Sequence, residues 1–274
     1  MRIRHWLGVL AVAAVALAGC SSPSGSGGAD GGAGQATSTA TGAGGPGDAL
    51  AEVARKTFAA GTARGSLKTV TTVEGMAPST MTGTGVIDFG HKCSQMDITV
   101  DSAGRTLTFR VIYDGAMVYE KFPPEVVGAS ARPWIKLDLS RLLGSGAGGG
   151  QFGANDPGSV IAYLYGADKV TEVGSEQVRG TSTTHYRASI DPRRAAQQVP
   201  QESRDEYLKF LQDTGSAGIM PADLWVDGQG RTRRLQFQGT ATVQGRHSTS
   251  TTTIEYFDYG SRVSIELPSP SQIR

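Results

Sequence analysis

Apolar residues along this chain follow three successive patterns. Residues 6–18 form an uncharged apolar run of about thirteen positions, preceded by Arg2 and Arg4. Over 21–47 large apolar side chains almost vanish: the segment is Gly, Ser, Ala and Thr, and its one charge is Asp30. From Asp48 onward apolar positions return with a regular period. Leu50, Val53, Ala54 and Phe58 recur at helical spacing, with Glu52, Arg55 and Lys56 on the other side. That spacing predicts a helix capped by Asp48 and ended by Gly61.

Beyond Gly61 the period falls to two. Alternating runs at 66–74, 80–89, 93–101, 105–113, 117–122 and 134–139, separated by Gly, Asp and Pro, predict consecutive antiparallel strands. The clearest case sets Leu107, Phe109, Val111 and Tyr113 against Thr106, Thr108, Arg110 and Ile112. The middle of the chain interrupts this series. Residues 144–150 are nearly all Gly, and Asn155-Asp156-Pro157 then starts a helix, with Val160, Ile161 and Leu164 as its buried stripe and Tyr163 and Tyr165 beside them. Strands resume at 170–176 and 184–190. Asp191-Pro192 opens a second helical region reaching about residue 212, with Tyr207, Leu208 and Leu211 on one side. Strands at 221–226 and 231–243 flank the turn Asp227-Gly228-Gln229-Gly230, and 248–259 completes the set, its Ile254 and Tyr256 two apart. The Pro- and Ser-rich end, 268–274, is expected to fray.

These elements predict an α+β fold dominated by antiparallel strands, one domain over 48–267. About 230 residues suit a single large β domain. A long sheet with one apolar face must cover it, and the available cover is a few short helices. A curved sheet wrapped round such helices leaves a cleft between the layers, where apolar ligands bind.

Charge narrows the function. The chain has 26 basic and 25 acidic residues, net +1, and no basic stripe that would neutralise phosphates, so nucleic acid is excluded as a partner. Catalytic constellations are weak. His91 and Cys93, two apart in a strand, point to the same side, but a cysteine nucleophile also needs an orienting group and an oxyanion hole. The reading favoured is a buried Cys93 beside a turn histidine. No Gly-x-Ser-x-Gly occurs, no His or Cys pair has zinc-ligand spacing with a second pair to match, and no Lys-Ser/Thr follows the glycine run. No catalytic residue, metal or cofactor is expected.

The start of the chain carries the sharpest motif. A basic head and an apolar run too short for the roughly twenty residues of a membrane span suit an export signal over 1–20. Its ending, Leu17-Ala18-Gly19-Cys20, resembles the lipobox of bacterial lipoproteins. The resemblance implies cleavage before Cys20 and a diacylglyceryl thioether on it. The mature protein would then be anchored in the cell membrane on the outer face of the cytoplasmic bilayer, extracytoplasmic. Residues 21–47 are expected to form a disordered tether with a reach of roughly 25–30 Å. With Cys20 acylated, Cys93 is the remaining thiol and no intramolecular disulfide can form.

The lipobox, the tether, the opening helix, the run of strands and the hairpin Leu224-Trp225-Val226-Asp227-Gly228-Gln229-Gly230-Arg231 together resemble the LppX/LprA/LprF/LprG-type lipoproteins of actinobacterial envelopes. Abundant Gly and Ala, with Arg exceeding Lys, fits such a source. The resemblance covers about residues 48–267. It implies a curved half-open β-barrel similar to the LolA/LolB carriers, with helices on its concave face. It also implies a monomer that binds an acylated lipid or glycolipid and carries or presents it across the envelope, with a membrane transporter as a further partner. The pocket-facing candidates are Leu107, Phe109, Val111, Tyr113, Val160, Leu164, Leu224, Val226, Leu235 and Phe237, in a register that the sequence leaves open by one residue. Trp225 and Tyr113 are candidate ligand stackers or core residues. Arg231, Arg233 and Arg234 read as a solvated edge or, alternatively, a contact for anionic headgroups. The interior also holds many Thr and Ala, which suggests a narrow cavity. The alternative function is a non-catalytic envelope scaffold with a filled core.

Overall fold

A computed structural model describes residues 46–128, 132–138, 156–198, 204, 208, 218–243 and 246–274. The export signal, the Cys20 motif, the tether, the 144–150 glycine run and the Tyr207–Leu211 helical face, apart from Leu208, lie outside the described residues.

Helix α1 (Pro46–Ala59) starts two residues before the expected cap. Pro46 supplies a preset helical φ, so Asp48 falls within the first turn, where its charge meets the positive helix end. Gly61 ends the helix with φ +77° and donates its N–H to the Phe58 carbonyl. Strands β1 (Thr62–Val73), β2 (Ser79–Asp88), β3 (Cys93–Ser102), β4 (Arg105–Asp114) and β5 (Met117–Lys121) follow. A short helix α2 (Pro124–Val127) and strand β6 (Trp134–Asp138) end the first half. Helix α3 (Pro157–Val160) runs into a 3-10 helix (Ile161–Gly166). The second half holds β7 (Ala167–Val178), β8 (Thr181–Ile190), α4 (Pro192–Ala195), β9 (Met220–Asp227), β10 (Thr232–Val243) and β11 (Arg246–Phe257).

All eleven strands form one sheet in the order β6-β5-β4-β3-β2-β1-β11-β10-β9-β8-β7. Every neighbouring pair is antiparallel. Two meanders thus meet in the middle, where β1 pairs with β11, and their outer strands β6 and β7 remain unpaired with each other. The sheet curves without closing. Strands β6 and β7 are opposite edges, and the Asp156–Gly166 part of the chain between them lies on the concave face. Val160, Ile161 and Leu164 are fully buried there beside Leu50 and Ala54 of α1.

Alternation places the inward set. In β1 every second residue from Ala63 to Val73 is buried, and in β11 Ser248, Ser250, Thr252, Ile254 and Tyr256 are. Tyr256 is central: its hydroxyl donates to the Pro157 carbonyl at 2.7 Å, and its ring lies 6.4 Å from that of Phe89, which meets Phe58 of α1 edge-on at 5.7 Å. On β2, Gly83 and Gly85 leave room for neighbours on β3. A Cβ at Gly83 would sit 2.5 Å from Ile98 Cδ1, and one at Gly85 would sit 1.9 Å from the Gln95 carbonyl oxygen.

The C-terminal end does not fray. Residues Pro270–Gln272 form a 3-10 turn, Ile273 bridges Trp134 in parallel, and the Arg274 N–H donates to the Trp134 carbonyl at 2.9 Å. The Arg274 guanidinium holds the carbonyls of Arg132 and Val127. The physical reason lies on the outer face, where Ile112, Tyr119 and Trp134 are buried beneath Ile265 and Ile273. The end covers an apolar outer patch and part of the β6 edge, both costly to leave to water.

Two outcomes follow for stability. Gly85→Ala is expected to cost about 1–3 kcal/mol or more through backbone overpacking, whereas Gly228→Ala, with open space around it, should stay within about 0.5 kcal/mol; urea unfolding of both compares them. Deleting 268–274 should cost roughly 1–2 kcal/mol and red-shift Trp134 emission; unchanged emission would count against the docked end.

Candidate functional site

The inward face of the curved sheet is the candidate site. Of the ten pocket-facing residues read from the sequence, Val111, Tyr113, Val160, Leu164, Leu224, Val226, Leu235 and Phe237 are buried in a single apolar cluster, and Phe109 packs against it half-buried. Leu107 is buried but stands outside that cluster. Val111 sits opposite Met96, Leu235 between Leu224 and Ile254, and Phe237 between Ala222 and Thr252. Toward the β10–β11 turn the inner wall changes character. Thr69, Thr71, Ser250 and Thr252 are buried, and Thr69 and Thr252 hydroxyls meet at 3.0 Å. The abundant interior Thr of the sequence is therefore a hydroxyl-lined stretch of wall.

Polar groups also enter from the crossing segment. Asp156 caps α3 by accepting from the Gly158 and Ser159 N–H groups at 3.1 and 3.0 Å, and from the hydroxyls of Ser159 and Ser94 at 2.5 Å each. It pins the crossing to β3. Glu120 of β5 also faces inward, and burial alone pushes its carboxyl up to about 7. Sequence reading missed it; a charged residue inside the 117–122 alternation was the available signal.

Trp225 faces outward, which removes it as an inner-wall stacker. Leu224 and Val226 take the inward positions, so the residue between them must point away. Its ring stacks on His185 at 4.3 Å and 11°, and its Nε1–H donates to Glu176 at 2.9 Å. His185 in turn faces two carboxylates, Glu176 at 3.0 Å and Asp223 at 2.8 Å. On the same face Arg234 lies 5.1 Å over Trp225 and binds Glu255 at 2.6 Å, which also accepts from Arg179 at 2.7 Å.

The arginine cluster is not a solvated edge. Asp227, nearly inaccessible to solvent, accepts from the N–H groups of Gln229 and Arg231 and from the guanidinium groups of Arg231 and Arg233, all at 3.0–3.1 Å. Burial alone would raise its carboxyl; these bonds outweigh that and hold it below the usual range. Both guanidiniums lie over Tyr259, at 4.6 and 5.3 Å, and Tyr259 donates to the Thr232 carbonyl. The three arginines are thus committed to Asp227 and Glu255. Arg231 and Arg233 line, with Arg179 and Tyr259, an open cleft of about 440 Å³ whose walls are mainly polar. A second groove of about 340 Å³ runs by the stacked Phe109 and Phe122 rings, 5.2 Å apart, with Pro123, Pro124 and Pro133.

Cys93 is half-buried rather than buried, because it opens β3 at the rim of the sheet, opposite Asp114. Its thiol donates to Asp114 at 3.2 Å. Burial, the Asp114 bond and the surrounding negative charges push it up to about 11, the reverse of what a thiolate nucleophile needs. His91 instead turns to Asp88, Nδ1 at 2.8 Å, in the open. The two side chains do not form a dyad.

The Glu120 shift fixes a pH dependence. Its folded value lies above its ordinary 4.5, so ionising it penalises the folded state. That penalty is absent below about 4.5 and complete above about 7, so stability falls as pH rises through this window, by roughly 3 kcal/mol from this group. Urea unfolding at pH 5 and pH 8 should show the fall in the wild type and lose that share of it in Glu120→Gln. Equal changes in the two proteins would contradict the assignment.

No protein-family model matches the chain. Over 145 residues it is 26% identical to an uncharacterized 31.2 kDa protein of Streptomyces griseus, an alignment covering 50% of this chain and 46% of that protein, less than half its length. It is 28% identical over 235 residues to a candidate lipoprotein of Streptomyces coelicolor, covering 81% of this chain and 72% of the relative. Among solved structures it is similar to the lipoprotein LppX of Mycobacterium tuberculosis, with 15% identity and a TM-score of 0.46 over 81% of this chain and 100% of that one.

Proposed function

We propose that this protein is an envelope lipoprotein, anchored through Cys20, that holds an acylated lipid or glycolipid against the concave face of its sheet and carries or presents it across the envelope. The observation that carries this reading is the way the concave face is covered. An apolar stretch of wall lies under helical elements, α1, α3 and the 3-10 helix, rather than under a second sheet. Helical elements are held to the wall by side chains, so they can part from it without breaking its ladder of strand hydrogen bonds. Acyl chains entering there would contribute roughly 0.8 kcal/mol per buried methylene. Binding is non-covalent and uses no cofactor. The motif Leu17-Ala18-Gly19-Cys20 and the similarity to a candidate lipoprotein support the anchor.

A second reading, a scaffold with a filled core, is favoured by one observation. Val160, Ile161, Leu164 and Ile254 are fully buried, so the inner cluster is packed in this state.

The test is native mass spectrometry with lipid extraction on the full chain purified from the membranes of an actinobacterial host. A reproducible acylated adduct, released on denaturation and reduced by Val111→Trp or Phe237→Trp, is the expected result. Bare protein from a host that contains such lipids would favour the scaffold. Cys20→Ala should move the protein from the membrane fraction to the soluble one.

A further inference from the structure

The Glu120 carboxyl and the Tyr113 phenol are polar ends of buried side chains that make no hydrogen bond to the described residues. Both lie on the inward face. Tyr113 pairs with Val118 and Val111 with Glu120 across β4 and β5, so Tyr113 and Glu120 are diagonal neighbours on one face, a separation that long side chains bridge. Glu120 is 8% exposed and Tyr113 5%. Among the described residues neither the carboxyl nor the phenol has a hydrogen-bond or ion-pair partner, although Asp156, close enough to act on Tyr113, is fully engaged by Ser94, Gly158 and Ser159.

The charged residues of the adjoining strands face the other way. Lys121 and Lys136 lie over the outer rings of Trp134 and Tyr119, and Arg110 forks onto Asp97 on the outer face. Among the described residues, therefore, no cation neutralises Glu120. Walls around it are apolar: Val111 opposite, Ile135 on β6, and Val118 and Phe122 on either side in its own segment. A leucine would fill that place without desolvating a carboxyl, so the acid costs stability and returns no contact to the fold. Such a group suits a partner that arrives from outside.

We propose that Glu120 and Tyr113 form a subsite on the inner wall for the hydroxyl-bearing headgroup of the bound acylated molecule, the carboxyl accepting from a hydroxyl and the phenol donating to one. This inference rests on the lipid-binding reading and adds the headgroup class to it. A hydroxyl matches both members of the pair, since it donates and accepts, whereas an ammonium offers donors only. The shared chemistry with an amine is the donated hydrogen bond, and the test separates the two.

The full chain is incubated with phosphatidylcholine vesicles doped with a minor fraction of phosphatidylinositol or of phosphatidylethanolamine having the same acyl chains. The extracted lipid is then counted by mass spectrometry. The wild type is expected to take phosphatidylinositol over phosphatidylcholine by about fivefold or more, the size of one net hydrogen bond. Glu120→Leu should reduce the ratio toward parity, Tyr113→Phe should lower it, and Glu120→Gln should keep part of it. Unfolding midpoints guard against misfolding, and Glu120→Leu should be at least as stable as the wild type. Parity in the wild type, or a preference undiminished in folded Glu120→Leu, would overturn the subsite while leaving lipid binding intact. Preference for phosphatidylethanolamine would overturn the hydroxyl assignment. A wild type that extracts no lipid from any vesicle would overturn the lipid-binding reading and the subsite with it.

Discussion

The structure depends on the need to cross the sheet. Pairing β1 with β11 puts the first and last strands at the centre and sends β6 and β7 to opposite edges. The described part of the connection between those edges, 156–166, lies over the concave face, where Val160, Ile161 and Leu164 are buried. Two polar anchors fix it there: Asp156 holds the Ser94 hydroxyl on β3, and the Tyr256 hydroxyl on β11 holds the Pro157 carbonyl. One anchor belongs to each meander, so the crossing ties the two halves together as well as covering them.

The two faces are stabilised by different means. Inside, apolar packing dominates, and α1 joins through Leu50, Ala54 and Thr57, whose hydroxyl accepts from the Thr232 N–H and donates to the Val53 carbonyl. Outside, paired charges and stacked rings link the strands: Glu176, His185 and Trp225 on one flank, Arg234, Glu255 and Arg179 next to them, and Asp227 with Arg231 and Arg233 at the turn. The farther wing of the outer face is covered by the C-terminal end over Ile112 and Trp134. This division leaves the inner wall covered by helical elements, α1, α3 and the 3-10 helix, rather than by a second sheet.

Strand positions were legible because alternation is a local property. Runs at 105–113 and 93–101 match β4 and β3 within a residue or so at each end, as Gly, Asp and Pro mark the turns. The Asp156-Pro157 cap was legible for the same reason, since a cap acts on residues two and three ahead. Asp227 could be read as a turn residue, but its hold on Arg233 needs the β9–β10 hairpin to bring that side chain back. His91 and Cys93 share a side of the chain in sequence, yet Asp88 and Asp114, from neighbouring turns and strands, claim them separately.

By itself, then, the sequence determined which residues alternate, where the chain turns, and that an antiparallel sheet with one apolar side would need covering. These depend on backbone periodicity and on neighbours within a few residues. Only the tertiary structure decided which side is inner at Trp225, whether Ile112 would be covered, where the C-terminal end would lie, and that Glu120 would be largely buried beside apolar side chains. Each depends on strand order, register and distant segments, and a one-residue shift in pairing would have reversed it.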